Sequence, residues 1–410
     1  MGIIVQKYGG TSVGTPEKIC LVAEKIIKRQ REGNQMVVIV SAMGKSTDSL
    51  IKLASEVTSK PDPREMDMLL TTGEQVTISL LAMALMDQGA EAISYTGPQL
   101  GIQTTAFHQK ARILDIDVSR IHQALAKNEI VVVAGFQGVS ENLEITTLGR
   151  GGSDTSAVAL AAKLRAECEI YTDVDGIYTM DPRKLIGAKK LDYISSEEMM
   201  EMASLGAGVL HHRSVELAHR FGVPLYVAST FSDQPGTRIV IGGNGNMEDS
   251  LITGMTSSHS DVQVILMNLP VGMKSLRRIF DEMGDKEVNV DMISQMMNGD
   301  QRMHISFTIP REDAHVARSL METWQQEDEA IHWSINEDIV KMSIVGMGMR
   351  THSGVAGKVF DLLEQESIEV KMITTSEINI SWVIHSADEE KAIQVIGDGF
   401  ELTEKEIERE

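Results

Sequence analysis

The sequence has little cysteine, which limits the kinds of site it can build. Cys20 and Cys168 are the only two in 410 residues. Neither has a cysteine or histidine neighbour at the spacing of a metal site. We therefore interpret both as packed thiols of a protein in a reducing compartment.

Basic residues are also scarce, since 38 Lys and Arg stand against 59 Asp and Glu, giving a formal net charge of −21. This balance disfavours nucleic acid or an anionic membrane as the main partner. No apolar run reaches the length of a membrane span, and the N-terminus enters a strand rather than a signal peptide. We expect a cytoplasmic protein whose anionic ligands are held by a local basic site.

The chain up to about residue 245 alternates apolar runs with helical stretches. The clearest strands are predicted at Met36–Val40, Ile130–Val133, Glu169–Tyr171 and Pro224–Val227. Near-continuous Val and Ile runs that alternate with helices indicate a mostly parallel sheet covered on both faces. Ligands of such sheets bind outside the carboxyl ends of the strands, where the polar loops of this region fall.

The first strand leads into Lys7-Tyr8-Gly9-Gly10-Thr11-Ser12, and a helical pattern opens at Pro16. Glycines allow backbone N–H groups to approach a ligand, and a helix N-terminus behind them favours negative charge. With the ammonium of Lys7 beside these amides, the loop suits a polyphosphate. Taken alone, the same residues also fit a tight turn with a solvated lysine.

Three other patterns are interpreted as structural. Gly44-Lys45-Ser46 is similar to the end of a P-loop, but Ile39 stands where that motif needs a glycine. Gly243-Asn244-Gly245 is interpreted as a flexible linker. His211-His212 is interpreted as structural because adjacent helical residues point in different directions.

After residue 245 the predicted elements become shorter and repeat a β-α-β-β-α order at a spacing of roughly 75–80 residues, which indicates duplicated ferredoxin-like modules. We predict a catalytic domain at 1–245, a linker and a strand at 246–260 that could join the last module, and modules at 261–337 and 338–410. The predicted strands and helices are Val262–Met267, Ser275–Met283, Val288–Gln295, His304–Ile309, Ala314–Trp324, Val340–Val345, Val355–Gln365, Ile368–Thr374, Asn379–Ile384 and Glu389–Ile396.

A second glycine-rich loop decides between the two interpretations of the loop at Lys7–Ser12. Its sequence is Thr147-Leu148-Gly149-Arg150-Gly151-Gly152-Ser153-Asp154. Together with Lys7–Ser12, Ser41–Asp48, Thr71–Glu74 and Tyr171–Gly176, it closely resembles the aspartate kinases of the amino-acid kinase family. The resemblance covers essentially the whole chain and extends to Gly206–His211 and Thr374–Ser381. It implies an α/β amino-acid kinase fold, with a mostly parallel sheet sandwiched by helices, followed by two ferredoxin-like α+β ACT modules.

The resemblance also implies a reaction, in which ATP phosphorylates the side-chain carboxylate of L-aspartate to give 4-phospho-L-aspartate and ADP. Mg²⁺ would bridge the phosphates, and no protein-only metal site is visible. The implied roles are catalysis for Lys7 and Asp154, with Asp154 orienting Lys7. Substrate binding is implied for Thr47, Glu74, Arg150, Gly151, Gly152 and Ser153. ATP binding is implied for Lys7, Tyr8, Gly9, Gly10, Ser41, Thr172, Asp173, Tyr178, Asp181 and Arg183.

Feedback regulation by an end-product amino acid follows from the same resemblance. The implied effector site lies in the second ACT module, in an interface between ACT modules of a homo-oligomer, with lysine favoured, with or without threonine. Its residues are Met347, Arg350, His352, Ser353, Gly354, Val355, Thr374, Thr375 and Glu377. Some relatives make the regulatory half as a separate smaller subunit, and Met247 could serve as its start.

Three alternatives are weighed. Another amino-acid kinase, acting on acetylglutamate, glutamate or a nucleotide, would share the phosphate loops, but the tandem ACT modules disfavour it. A non-catalytic amino-acid sensor is disfavoured because the site residues are intact, namely Lys7, Glu74, Arg150 and Asp154. A fusion with homoserine dehydrogenase is not expected, since no dinucleotide-binding pattern follows residue 400.

Overall fold

The computed structural model describes residues 2–242, 251–298 and 302–404. These residues form two compact units, which are described separately. The first unit contains residues 2–177, 190–204 and 208–242, and the second contains 178–189, 205–207, 251–298 and 302–404. The predicted linker at 243–245 and Met247 lie outside the described residues.

The first unit is built on two sheets. Its strands are β1 (Ile3–Tyr8), β2 (Gln35–Val40), β3 (Ala92–Tyr95), β4 (Ile102–Thr104), β5 (Ile113–Ile116), β6 (Ile130–Ala134), β7 (Gln137–Ser140), β8 (Ile145–Thr147), β9 (Glu167–Thr172), β10 (Tyr193–Ser195), β11 (Leu225–Ser229) and β12 (Thr237–Val240). The large sheet has the order β10-β12-β11-β9-β1-β2-β6-β3, and the small sheet has the order β5-β4-β7-β8. Neighbours in the large sheet are parallel except β11 and β12, so the predicted mostly parallel sheet is confirmed.

Helices cover the large sheet. They are α1 (Pro16–Arg31), α2 (Ser46–Val57), α3 (Pro63–Leu70), α4 (Thr72–Asp87), α5 (Gly97–Leu100), α6 (Ser119–Leu125), α7 (Gly152–Leu164), α8 (Ser196–Ser204) and α9 (His212–Phe221). Helix α1 begins where the sequence indicates, because Thr15 accepts a hydrogen bond from the Lys18 N–H and Pro16 occupies the first turn. Its apolar side chains recur every three or four positions and pack with those of α4 against the central strands.

Among the described residues one helical stretch, Pro63–Asp87, is long and apolar enough to cross a membrane by length and composition alone, so the expectation that no apolar run reaches this length is wrong. Half of its apolar 18-residue window is buried inside the protein. Its side chains Ile78, Leu81 and Leu85 belong to the core beneath the large sheet. That burial is what a core helix of a globular domain shows.

The second unit holds two four-stranded antiparallel sheets. Its elements are β13 (Gly254–Ser258), β14 (Asp261–Pro270), α10 (Met273–Asp285), β15 (Ile293–Asn298), β16 (Arg302–Pro310), α11 (Ala314–Glu327), β17 (His332–Asn336), β18 (Ile339–Val345), α12 (Val355–Gln365), β19 (Met372–Thr375), β20 (Asn379–His385) and α13 (Glu389–Gly399). The sheet orders are β15-β16-β14-β17 and β13-β18-β20-β19. Strand β13 thus takes, beside β18, the edge position that β17 takes beside β14.

The predictions of two strands in this unit begin too early in the sequence. The prediction Val288–Gln295 is wrong at its start, because the strand begins at Ile293. Val288 and Met292 are buried in a connection, which produces an apolar pattern without strand pairing. The prediction Ile368–Thr374 is wrong in the same way, since the strand begins at Met372 and the buried Ile368 belongs to the connection after α12.

Packing departs from the predicted domain bounds at the segment 178–189. Its side chains Met180, Leu185 and Ala188 are buried with apolar residues of the last sheet and its helices. The hydroxyl of Thr179 donates to the Leu402 carbonyl at 2.6 Å. This segment of the chain is therefore structurally part of the second unit, although it lies within 1–245 in sequence.

Candidate active site

Lys7 and Asp154 form an ion pair at the carboxyl end of the first strand. Lys7 Nζ lies 2.6 Å from Asp154 Oδ1, and both side chains are largely buried. Lys7 is held in register between Ile39 and Ile170 on the neighbouring strands, and Asp154 lies in the first turn of α7. A rigid sheet and a helix start therefore fix the two charges.

The glycines after Lys7 bring the backbone close to the β2–α2 loop. A Cβ on Gly10 would lie 2.8 Å from the Ala42 carbonyl oxygen, so a larger residue could not occupy this position without displacing the loop. The Gly44 N–H donates to the Gly10 carbonyl at 2.9 Å. The Gly9 N–H is already engaged, since it donates to the Tyr171 carbonyl at 3.2 Å.

The second glycine loop approaches the same point from α7. The hydroxyls of Ser41 and Ser153 lie 2.8 Å apart, which joins the loop after β2 to the first turn of α7. Gly151, the residue before the helix, has a φ of 66°, in the left-handed region that favours glycine. The N–H groups of Gly152 and Thr155 donate to the Gly149 and Gly151 carbonyls, and the two between them lie at a helix start that favours a bound anion.

Glu74 lies beside these loops and is almost fully buried. Its Oε1 accepts a hydrogen bond from the Ala42 N–H at 3.1 Å. Within the described part of the chain nothing hydrogen-bonds to its Oε2, although that atom is buried. Burial raises the pKa of the Glu74 carboxyl to about 7, while hydrogen bonds from the Glu74 and Ala42 backbones act in the opposite direction. A buried carboxylate oxygen without a partner is suited to a ligand cation.

Two other residues of the predicted substrate set lie on the segments that follow β8 and β2. Arg150 is exposed between Gly149 and Gly151, two residues that both have positive φ. Thr47 is half-buried in the first turn of α2. Gly152 is packed against Phe136, since an added Cβ would lie 2.8 Å from the Phe136 ring.

The residues predicted to bind ATP are divided between the two units. Thr172 ends β9 in the first unit and Asp173 follows it, and the Thr172 hydroxyl donates to Asp173. The Tyr8 side chain is buried, stacks on Tyr171 and donates its hydroxyl to Gln6, so Tyr8 can meet a nucleotide only through its backbone.

Tyr178, Asp181 and Arg183 lie in the segment that packs with the second unit. Arg183 donates to Asp181, at 2.8 Å from Nη2 to Oδ2. The Arg183 side chain is on the surface, with an exposed fraction of 88%, whereas the Asp181 side chain is half-buried. These three residues thus belong to the second unit, whereas Lys7 belongs to the first.

Sequence reasoning missed the residues that hold the Arg150 loop in place. Asp67, fully buried on α3, accepts a hydrogen bond from the Thr147 hydroxyl at 2.6 Å. Arg213 donates to the Leu148 carbonyl at 2.6 Å. An acidic residue inside the apolar run Met66-Asp67-Met68-Leu69 is the one signal of this cluster in the sequence.

His211, which the sequence interpretation treated as structural, contacts the same loop. It caps α9 by accepting a hydrogen bond from the Arg213 N–H. A Cβ on Gly151 would lie 2.2 Å from the His211 Cβ, so glycine is required for this close approach. Burial and then the charge of Arg213 lower the pKa of His211, while Asp154 acts in the opposite direction.

The second unit contains a cavity of about 560 Å³ at the start of α12. It coincides with most of the predicted effector residues and is lined by Met349, Arg350, His352, Gly354, Val355, Ala356, Thr375, Ser376, Glu377 and Ile380. Met347, Ser353 and Thr374, which were also predicted, do not line it. Arg350 pairs with Glu377 at 3.2 Å, which places opposite charges at its rim.

Comparison with known families agrees with this architecture. The amino acid kinase family matches residues 2–229, more than half of the chain, and the ACT domain matches residues 342–400. The fold and the loops at the carboxyl ends of its strands thus define a kinase of the amino acid kinase family with a regulatory ACT region.

Relatives narrow the assignment. Aspartokinase 2 of Bacillus subtilis is 49% identical over 405 residues, which cover 98% of each chain. The crystal structure of aspartate kinase from Synechocystis is 40% identical, with a TM-score of 0.55, and covers 100% of this chain and 71% of that one. Aspartokinase III of Escherichia coli, solved with aspartate and ADP, has a TM-score of 0.80 at 22% identity over 97% and 99% of the two chains, which supports the fold.

The chain belongs to the aspartokinase family. The enzymes of this family are kinases, and ACT domains provide their allosteric regulation. The resemblance found in the sequence and the predicted fold class are both confirmed.

Proposed function

We propose that this chain transfers the γ-phosphoryl group of ATP to the side-chain carboxylate of L-aspartate, with Lys7 and Asp154 at the centre of the site. The observation that carries the proposal is the 2.6 Å ion pair between these residues. It is supported by the buried Oε2 of Glu74, to which nothing in the described part of the chain hydrogen-bonds. Lys7 would neutralise charge on the transferred phosphoryl group, and Asp154 would orient Lys7. Phosphoryl transfer depends mainly on such positioning and charge stabilisation.

Glu74 and Arg150 would hold the two charged ends of the amino acid. The buried carboxylate of Glu74 would pair with the substrate ammonium through its free Oε2. The planar fork of Arg150 would bind the α-carboxylate with two hydrogen bonds. Thr47, in the first turn of α2, and Ser153, in the first turn of α7, would complete this part of the site.

The reaction needs no general base from the protein. A side-chain carboxylate is already ionised at neutral pH, and one of its oxygens attacks the γ-phosphorus as the bond to ADP breaks. Asp154 is therefore assigned to hold Lys7 and not to remove a proton. The hydroxyls of Ser41 and Ser153 and the amides at the start of α7 would donate to phosphate oxygens.

Mg²⁺ fits this site as a companion of the nucleotide. Among the described residues no group of three or more His, Cys, Asp or Glu side chains could hold a metal ion. The ion would therefore be held by phosphate oxygens and water, as Mg²⁺ commonly is, and it would offset the negative charge of the phosphates.

Trapping the acyl phosphate with hydroxylamine tests the activity. The parent protein with ATP and aspartate should give a hydroxamate, and glutamate in place of aspartate should give far less. Arg150→Lys should mainly raise the aspartate KM, because lysine cannot reproduce the two-pronged contact. A rise confined to the ATP KM would show that Arg150 binds the other substrate.

The cavity at the start of α12 is proposed as the effector site. Amides at that helix start, with Arg350, would take the carboxylate of an amino acid, and Glu377 with the strand edge at Thr375 would take its amine. Lysine, with or without threonine, is the proposed effector. The same assay repeated with lysine, threonine and both tests this directly.

We further propose a cytoplasmic homo-oligomer joined through the ACT modules. A smaller regulatory subunit beginning at Met247 is part of the same proposal. Intact-mass analysis of the native protein tests the second statement, since the full-length chain alone would contradict it. Light scattering with and without lysine tests whether the protein is a homo-oligomer.

A further inference from the structure

Asp67 is the centre of a buried hydrogen-bond cluster that no proposed step of the reaction uses. Its Oδ1 accepts from the Thr147 hydroxyl at 2.6 Å, and its Oδ2 lies 2.7 Å from His108 Nδ1. The Gln109 N–H donates to both oxygens, at 3.2 and 3.1 Å. A fully buried carboxylate is costly unless it is hydrogen-bonded, and here each oxygen has partners.

The partners of Asp67 belong to the segments that shape the Arg150 loop. Thr147 ends β8, three residues before Arg150. Gln109 has a left-handed φ of 64°, and its carbonyl oxygen lies 2.7 Å from where a Cβ on Gly149 would be. The turn at Gln109 therefore packs directly on the loop, and Asp67 holds both the turn and the strand end that leads into the loop.

Asp67 is also tied to Glu74 through the helices that carry them. The two residues are seven positions apart on α3 and α4, which corresponds to about 10 Å along a helix axis. The junction is fixed, because the Thr71 N–H donates to the Asp67 carbonyl and the Thr71 carbonyl accepts from the Gln137 amide. One helical stretch thus bears Glu74 directly and controls the Arg150 loop through Asp67.

We propose that Asp67 is a positioning residue that sets the separation between Glu74 and Arg150, and with it the length of the amino acid that the site accepts. The inference rests on the proposed roles of those two residues in holding the substrate. His108 and Thr147 orient the Asp67 carboxylate. Loosening the cluster should weaken aspartate binding and reduce the preference for aspartate over glutamate, which is one methylene longer.

Two matched pairs of variants test the positioning role of Asp67 without removing its buried carboxylate. Thr147→Val deletes the hydroxyl donor, whereas Thr147→Ser keeps it. His108→Leu deletes the donor beside Asp67, whereas His108→Asn places an amide N–H near the position of Nδ1. Kinetic constants for aspartate, glutamate and ATP, and the melting temperature, are measured for all four.

The valine and leucine variants should raise the aspartate KM about ten-fold, since small misplacements of binding groups carry costs of this order or greater. The ratio of kcat/KM for aspartate over glutamate should fall several-fold, within the range that one methylene controls. The ATP KM should stay within about two-fold, and the serine and asparagine variants should keep parental values.

An unchanged aspartate KM, an unchanged aspartate-to-glutamate ratio, or a joint rise of both KM values with a lower melting temperature would each overturn the proposal. Glu74→Gln and Arg150→Lys are measured in the same assay. If these two leave the aspartate KM unchanged, the proposed substrate site is wrong. If they raise it and the valine and leucine variants do not, only the role of Asp67 is wrong.

Discussion

The ammonium of Lys7 lies 2.6 Å from the carboxylate of Asp154, at a point where three parallel strands and the start of α7 meet. Neither side chain is more than 12% exposed. The pair is therefore preorganised, and its removal should affect the rate more than the binding of either substrate.

Lys7→Ala should lower kcat by roughly a hundred- to a thousand-fold, which is the usual cost of losing one preorganised charge donor. Because the variant leaves Asp154 buried without its partner, its melting temperature should also fall. The double variant Lys7→Ala/Asp154→Asn should regain stability but not activity. Activity within a few-fold of the parent in either variant would exclude Lys7 from the mechanism.

Glu74 should make aspartate binding depend on pH near neutrality. Burial raises the pKa of its carboxyl to about 7, so at lower pH the group is protonated and cannot pair with the substrate ammonium. If only the ionised carboxylate binds the ammonium, a single group with this pKa makes the aspartate KM at pH 6 about ten times that at pH 8. The comparison is made at saturating ATP. The substrate ammonium keeps its proton throughout this pH range, so its own titration does not contribute.

Glu74→Gln is the control for this dependence. It should raise the aspartate KM at pH 8 and remove the change between pH 6 and pH 8, because the amide does not titrate. A parent enzyme whose aspartate KM is flat over this range would show that Glu74 does not hold the amine.

The convergence of Lys7, Ser41 and Asp154 could be predicted from the sequence, because polar loops follow apolar strands and parallel strands place their carboxyl ends together. The Asp67 cluster could not. Its members are 41 and 80 positions apart in the chain, and each is an ordinary residue in its own local pattern. The short strands of the small sheet, which bring them together, give too weak a period to predict.

The packing of the segment 178–189 could not be predicted from the sequence either. Met180 and Leu185 are apolar residues in a loop, and no local pattern indicates which core they join. In the sequence the segment continues the nucleotide loop after Thr172, whereas in the structure it packs with the second unit. Long-range packing of this kind is decided by tertiary contacts and not by local propensity.

Lys341 should be a major source of stability in the second unit. It is buried in β18 and contacts Asp261 at 2.9 Å and Asp291 at 2.7 Å. Burial alone would lower its pKa, but the two carboxylates hold the pKa of Lys341 above its ordinary value. Lys341→Met should cost about 3 kcal/mol of unfolding free energy, because it leaves the largely desolvated carboxylate of Asp261 without its cation.

Denaturant unfolding at several pH values measures this effect. A lysine whose folded pKa is raised contributes fully below its unfolded pKa, so the loss should be complete at pH 7 and shrink above about pH 10.4. Lys391→Met, which breaks an exposed pair with Glu366, is the matched control and should change stability little. Equal effects of the two variants would contradict the importance of the buried cluster.

The effector cavity predicts opposite results for two neighbouring threonines. Thr375 lines the cavity at the start of α12, whereas Thr374 precedes it in β19 and does not. Successive side chains of a strand point to opposite faces.

Thr375→Tyr should fill the cavity and raise the lysine concentration that halves activity at least ten-fold, a change within the usual 1–3 kcal/mol of allosteric coupling. Thr374→Tyr should leave that concentration within about two-fold of the parent, since it does not enter the cavity. Activity is normalised to the same variant without effector, and a melting shift with lysine reports binding independently. Inhibition lost in the Thr374 variant and kept in the Thr375 variant would place the effector on the other face of the strand.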